Sequence, residues 1–159
     1  SILSEILAYT RIKDAAPKPL PVAALVADAL EGLAIPQAVT LRRSIPDDLK
    51  ALADRQLAVA ALRHILRNAF EAAAEAPPGI VAVAAKEEKG AALVEVQDSG
   101  PGVSAKDAAN IFSPFFTTKP RGLGLGLAYA RKALALQKGG VTLAPSKTGA
   151  RFALTLPAA

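Results

Sequence analysis

Three groups of residues in this chain have the types and spacings that do chemistry. Gly122, Gly124 and Gly126 alternate with leucines in Gly122-Leu123-Gly124-Leu125-Gly126-Leu127. With no Cβ in the way, alternate glycines let backbone N–H groups converge on one anion. A helix that follows them adds its unsatisfied first-turn donors and the positive end of its dipole. That is phosphate chemistry. Asp98 closes an apolar run and opens Asp98-Ser99-Gly100-Pro101-Gly102. A carboxylate at such a place accepts a hydrogen bond from an exocyclic amine, which selects adenine. His64, Asn68 and Glu71 fall at i, i+4 and i+7, along one edge of a helix. The Asn carbonyl oxygen suits Mg²⁺, which takes few protein ligands and keeps phosphate oxygens and water.

Each group also has a plainer reading. The glycines serve equally as a flexible run into a helix. Asp98 serves as an Asx-turn acceptor for its own backbone, and the polar helix edge as a solvated face. Two known glycine signatures are excluded. A dinucleotide-binding fingerprint needs a strand before the glycines and an acid about 20 residues after them. Here a Phe/Pro loop precedes them and no acid follows. A Walker A loop ends in Gly-Lys-Ser/Thr, where this chain has Gly126-Leu127-Ala128. There is no cysteine, so a thiolate metal site and a disulfide framework are both excluded, and His64, the only histidine, is not expected to ligate a transition metal.

The elements that must position these residues follow from periodicity. Residues 1–13 carry a helical apolar pattern, and Pro17, Pro19 and Pro21 then read as a linker. Residues 22–34 read as a short amphipathic helix. Val39 to Ile45 alternates as a strand, with a shorter one over Leu49 to Ala53. Asp54 is placed to cap a long helix over 55–76, ended by Pro77-Pro78-Gly79. Ile80 to Lys86 and Ala92 to Gln97 form a hairpin turning at Glu87-Glu88-Lys89-Gly90. Ser104 caps a short helix over 104–111. A helix over 123–138 ends at Gly139-Gly140, and Val141 to Ala144 with Arg151 to Leu156 makes a last hairpin. This order predicts an α+β fold, with helices on one face of a mixed sheet.

The 159 residues suffice for one domain with a real core, and 52% are hydrophobic. Only 4% are aromatic, which argues against a nucleic-acid stacking platform. No apolar run is long enough to span a bilayer. The net charge of +5 is unevenly spread: Asp107 is the last acid, and seven basic residues follow it. A basic C-terminal third suits a polyphosphate ligand or an acidic partner. The opening residues read as a helix in mid-course, so the chain is expected to be a fragment of a longer protein.

Taken together and in order, these segments resemble the GHKL ATPases. Arg63-His64-Ile65-Leu66-Arg67-Asn68-Ala69-Phe70-Glu71-Ala72 is similar to their N box, and Asp98 to Gly102 to their G1 box. Phe112-Ser113-Pro114-Phe115-Phe116-Thr117-Thr118-Lys119 is similar to their F box, and Gly122 to Leu127 to their G2 box. The F box and the Leu-Pro ending resemble sensor histidine kinases, of the nitrogen-regulation and oxygen-sensor type. The resemblance covers about residues 20–157. It implies a two-layer α/β sandwich (the Bergerat ATP-binding fold), its mixed sheet covered on one face by about three helices. Residues 1–19 would be the end of a dimerisation helix and its linker, and 20–159 the catalytic ATP-binding domain.

The resemblance also implies roles. Asn68 would coordinate Mg²⁺ bridging the phosphates. Asp98 would hold the adenine amine, with Gly100 and Gly102 shaping the turn. Lys119 and Arg121 would reach the phosphates of ATP, and Gly122, Gly124, Gly126 and Leu127 would line them, the glycines with backbone N–H groups. Phe115 and Phe116 would anchor the lid, and Thr148 would line the adenine end. Asn68, His64 and Lys119 are the expected catalytic positions. His64 stands where such kinases often carry a first Asn, which polarises the attacking group or supports Mg²⁺.

A kinase of this kind needs a phosphoacceptor His on a dimerisation helix, and His64, inside the nucleotide-binding helix, is a poor acceptor. The chain is therefore expected to bind ATP without completing autophosphorylation. Its expected partners are the phosphoacceptor domain of the same protein and a response regulator receiver domain. Nucleic acid and direct membrane contact are not expected, and the expected compartment is the cytoplasm, which is compatible with a membrane-anchored parent protein. Another GHKL-type ATPase and a degenerate kinase acting as an interaction module are the alternatives.

Overall fold

The computed structural model describes residues 2–12, 14–118 and 124–159. In chain order the elements are α1 (Ile2–Arg11), β1 (Lys18–Pro21), α2 (Val22–Leu30), β2 (Val39–Ser44), β3 (Lys50–Ala53) and α3 (Arg55–Ala74). They are followed by β4 (Gly79–Glu88), β5 (Ala91–Asp98), α4 (Ala105–Ala108), α5 (Gly126–Leu136), β6 (Gly140–Ala144) and β7 (Arg151–Pro157). Five strands form one sheet in the order β2-β4-β5-β7-β6. β2 runs parallel to β4, and the other neighbours are antiparallel. The mixed sheet with a helical layer is the α+β sandwich that the sequence predicts.

The layers follow from alternation. Along β5 the buried positions are Ala92, Val94, Val96 and Asp98, and along β7 they are Phe152, Leu154 and Leu156. Side chains two residues apart share a face of a sheet, and this face packs on the apolar stripe of α3. Ala58, Ala61, Leu62, Ile65, Leu66, Ala69, Phe70 and Ala73 of that stripe are all buried. Register therefore carries a carboxylate, Asp98, to the end of an otherwise apolar face directed at the helices.

The residues predicted as punctuation act largely as expected. Asp54 Oδ1 accepts from the Leu57 N–H at 3.1 Å and caps α3. Ser104 Oγ accepts from the Asp107 N–H at 3.1 Å, but the helix it caps closes at Ala108 rather than 111. The β4–β5 hairpin turns on two residues, not four: Lys89 (φ 53°) and Gly90 (φ 78°) both take the left-handed conformation that matches strand twist. α2 stops at Leu30, four residues earlier than predicted. Gly32 turns the chain at φ 82°, and the Arg63 guanidinium donates to the Asp28 and Ala29 carbonyls at 2.9 and 3.2 Å. At the end of α5 the left-handed residue is Lys138 (φ 61°) and not a glycine. The Lys138 and Gly139 N–H groups close the motif on the Ala135 and Leu134 carbonyls.

Residues 18–21, predicted to be part of a proline linker, are a strand. β1 pairs antiparallel with β3, from Lys18 against Ala53 to Pro21 against Lys50. Its two-stranded sheet has only edge strands, where a residue without an N–H is tolerated. The start of α3 is fastened on two further sides. Asp54 Oδ2 accepts from the Ala16 N–H at 2.9 Å. Buried Gln137 accepts from the Asp54 N–H through Oε1 at 2.7 Å and donates to the Ala133 carbonyl through Nε2 at 2.9 Å. Gln137→Leu leaves a backbone donor without its acceptor, and a loss of about 1–3 kcal/mol is expected. Denaturant unfolding checks this, and a loss below about 0.5 kcal/mol would refute the tie.

Candidate functional site

α3, α5 and the segment after β5 enclose a cleft of about 870 Å³. From α3 it receives His64, Arg67, Asn68 and Glu71. Gly124, Leu125, Gly126, Leu127 and Tyr129 line it from the start of α5 and just before. Gly102, Val103, Asp107 and Ile111 line it from the segment after β5, and Phe116 to Thr118 from the loop beyond. The polar edge of α3 and the glycine run, far apart in sequence, thus face one space. Of the expected site residues, His64, Asn68, Gly102, Gly124, Gly126 and Leu127 line it. Lys119, Arg121 and Gly122 lie outside the described residues.

Asp98, Gly100 and Thr148 do not line the cleft; Asp98 lies against Gly149, which in turn abuts Gly102 of the lining. Asp98 is 2% exposed. Its Oδ1 accepts from the Gly100 N–H at 2.8 Å and the Ala150 N–H at 3.2 Å. The Asx-turn reading is therefore correct for this oxygen. The other oxygen, Oδ2, is buried with no hydrogen-bond partner among the described residues. A buried acceptor left unpaired is costly, and an amine of a ligand is the kind of donor that it lacks. Burial pushes the Asp98 carboxyl up from the ordinary carboxylate range; the Gly100 and Ala150 N–H groups oppose this and the Glu75 charge adds to it.

Backbone fit around Asp98 is close. A Cβ on Gly100 would stand 2.5 Å from the Ala72 carbonyl oxygen of α3. Gly149 (φ 63°) passes directly over Asp98, where a side chain would strike the Asp98 backbone. Gly102 (φ 82°) abuts Gly149 in turn. Thr148 is exposed, and its carbonyl accepts from Gln97 Nε2 and Ser146 Oγ, both at 2.7 Å.

Gly124 (φ 79°) is needed for a similar reason, since a Cβ there would stand 2.5 Å from the Phe116 carbonyl oxygen. Its own carbonyl accepts from the Phe115 N–H at 2.9 Å. Phe112 and Phe116 pack on the core, Phe112 edge-on to Phe152 at 6.0 Å, whereas Phe115 is 60% exposed. Of the two phenylalanines expected to anchor the lid, the structure packs Phe116 alone. α5 begins at Gly126, and its N-cap, Leu125, brings no side-chain acceptor to the first turn. The donors of that turn are therefore not capped by the N-cap side chain, which suits a ligand there.

His64 is neutral near neutral pH. Burial, then the Arg67 and Arg63 charges, lower its pKa to about 4. Its ring lies 5.2 Å from that of Tyr129, the planes inclined at 56°.

Sequence reasoning missed several lining residues. Val103, Asp107, Ile111 and Tyr129 carry no signal beyond helical or loop placement. Ser4, Glu5 and Ala8 of α1 also line the cleft. α1 is held there by Lys132, whose ammonium donates to the Tyr9 carbonyl at 2.9 Å and stands 4.7 Å over the Tyr9 ring.

Comparison with known proteins gives the same picture. The family model described as histidine kinase-, DNA gyrase B- and HSP90-like ATPase matches residues 53–159. The C4-dicarboxylate transport sensor protein DctB of Rhizobium meliloti (strain 1021) is 35% identical over 111 residues, covering 70% of this chain and 18% of DctB. The nitrogen regulation protein NtrY of Azorhizobium caulinodans is 34% identical over 127 residues, covering 76% of this chain and 16% of NtrY. The chain thus spans less than a fifth of either relative. Among solved structures, full-length ShkA in complex with AMPPNP superposes with a TM-score of 0.82 at 26% identity, over 99% of this chain and 35% of ShkA. The histidine kinase ThkA, in complex with the response regulator protein TrrA, gives 0.80 at 25% identity, over 99% of this chain and 46% of ThkA.

Proposed function

We propose a phosphoryl-donor role for this chain, which belongs to the histidine kinase-, DNA gyrase B- and HSP90-like ATPase family and has the ATP-binding catalytic domain of sensor histidine kinases. In this reading it holds ATP with Mg²⁺ and presents the γ-phosphoryl to a histidine on a separate dimerisation helix. The observation that carries the reading is the buried Oδ2 of Asp98, without a partner among the described residues, behind the Gly102 lining of a cleft that the glycine-started α5 also lines. An acceptor for a base amine and a set of donors for phosphates are the two ends that a nucleotide needs.

ATP, when bound, supplies a phosphoryl group whose bond to the β-phosphate oxygen breaks as a bond to the acceptor imidazole nitrogen forms, leaving ADP. The chain's own residues position and neutralise. Asp98 orients the base. The first-turn N–H groups of α5 would meet the growing negative charge, and Asn68 would offer an oxygen to Mg²⁺; Lys119 and Arg121, outside the described residues, are the cations proposed to assist. This division of labour suits phosphoryl transfer, where positioning and electrostatics supply most of the catalysis. His64, neutral and turned toward α5, does not serve as the acceptor. The partners proposed are the phosphoacceptor domain of the parent protein and a response regulator receiver domain, for which the ThkA complex is a precedent.

Calorimetric titration with ADP and a non-hydrolysable ATP analogue, with and without Mg²⁺, tests the site. Binding of both, strengthened by Mg²⁺, is expected. With labelled ATP the chain alone is expected to stay unlabelled, and to label a supplied dimerisation domain that carries the acceptor His. Self-labelling on His64, or no nucleotide binding in any condition, would overturn the proposal.

A further inference from the structure

His64 lies one helical turn before Asn68 on the same edge of α3, yet its ring faces α5. The imidazole packs on Tyr129, and a Cβ on Gly126 would stand 3.1 Å from its Nδ1. Gly126 and Tyr129 are three residues apart, so they share a face of α5. The ring therefore fills the hollow that the glycine leaves in the first turn, as a knob fills a hole between packed helices. That first turn borders the cleft and carries the donors assigned above to the phosphates.

We propose that His64 is a positioning residue: its imidazole, wedged against Gly126 and Tyr129, sets the first turn of α5 relative to Asn68 and so fits the cleft to a polyphosphate chain. The inference rests on the nucleotide-site reading above and names the end of the ligand that His64 governs. The chemistry of the ring suits a spacer. As a neutral group it adds no charge that would draw a phosphate onto itself, and its ring packs on the Tyr129 ring. Gly126 thereby has a second role beyond freeing its N–H, because its missing side chain is the seat of the ring. Asp98 lies against Gly149 and is not among the residues that line the cleft beside this wedge, so the adenine end is expected to be independent of it.

This arrangement predicts a split between ligands. His64→Ala is expected to weaken the non-hydrolysable ATP analogue about tenfold while changing adenosine affinity less than about twofold. Gly126→Ala pushes a methyl against the ring and is expected to cost a similar factor for the analogue. The double variant replaces the lost bulk from the other side, so its loss is expected to be smaller than the product of the two single losses. Thermal unfolding confirms that each variant is folded, and Gly126→Ala in the His64→Ala background supplies the test where one single variant is not. A merely structural histidine would weaken analogue and adenosine alike, and that result overturns the proposal. So do multiplicative single losses, or analogue binding unchanged in His64→Ala. Failure of the wild-type chain to bind any nucleotide overturns the site reading itself. Wild-type binding without the split overturns only the role of His64.

Discussion

Asp98→Asn is expected to weaken adenine-nucleotide binding at least about 100-fold while leaving the free domain folded. The substitution preserves the oxygen that the Gly100 and Ala150 N–H groups need. It replaces Oδ2, buried and unpaired, by an amide nitrogen that donates. A donor then faces the amine of the base. Loss of a charge-assisted hydrogen bond alone is worth about 1.5–3 kcal/mol, and opposed donors add to it. Asp98→Ala would lose binding as well, but it also removes the acceptor of two buried N–H groups and so mixes folding with recognition. Titration of Asp98→Asn with ADP is the measurement. Affinity within about threefold of wild type would show that Oδ2 does not meet the ligand.

The same carboxyl sets a pH dependence whose sign is fixed by burial. Its pKa is raised in the folded state, so ionising it opposes folding. The stability it contributes is present below its unfolded pKa and is lost as pH rises through the raised folded value. Asp98→Asn escapes that loss, and its stability relative to wild type should grow over the same interval. Binding runs the other way, because the ionised carboxylate is the better acceptor. Wild-type affinity should fall as pH drops through this range. If Asp98 holds the base as proposed, the domain gives up stability there for recognition.

The wedge of His64 shows where sequence reading stops. Periodicity and punctuation place the long helix, its Asp54 cap, the central hairpin and the closing hairpin, because each is written in local spacing. The second strand of the central hairpin is read only to Gln97, so the burial of Asp98, which continues the alternation of 92, 94 and 96, is seen only in the structure, as is the oxygen that stays unpaired. The strand of Lys18–Pro21 was hidden because its prolines read as breakers, and only pairing with β3 makes an edge strand of them. The left-handed Lys138 was hidden by the two glycines beside it. Gln137 and Tyr129 carry no signal at all. One is a polar residue at a helix end, the other an aromatic on a helical stripe. Their partners, Asp54 and His64, lie 83 and 65 residues away, beyond the reach of any local pattern.

Asn68→Ala is expected to remove the Mg²⁺-dependent part of nucleotide binding. Among the described residues no group of three His, Asp or Glu side chains could hold a metal ion. An ion in this cleft would then be held chiefly by phosphate oxygens and water, with one or two protein oxygens to fix its place, as suits Mg²⁺. Asn68 is half-buried, lines the cleft beside Glu71, and shares it with the first turn of α5. In the alanine variant, affinity for the non-hydrolysable analogue in Mg²⁺ should fall to the value measured in chelator, while Mg²⁺-free ADP affinity changes less than about threefold. Phosphoryl transfer to a supplied acceptor domain should drop at least about 100-fold, as when a preorganised electrostatic contact to the transition state is removed. Asn68 also interacts within the protein, so Asn68→Asp serves as the control. It keeps an oxygen in place and should keep part of the Mg²⁺ effect. If the alanine variant still binds the analogue more tightly in Mg²⁺ than in chelator, the ion is held elsewhere and Asn68 is a packing residue of α3.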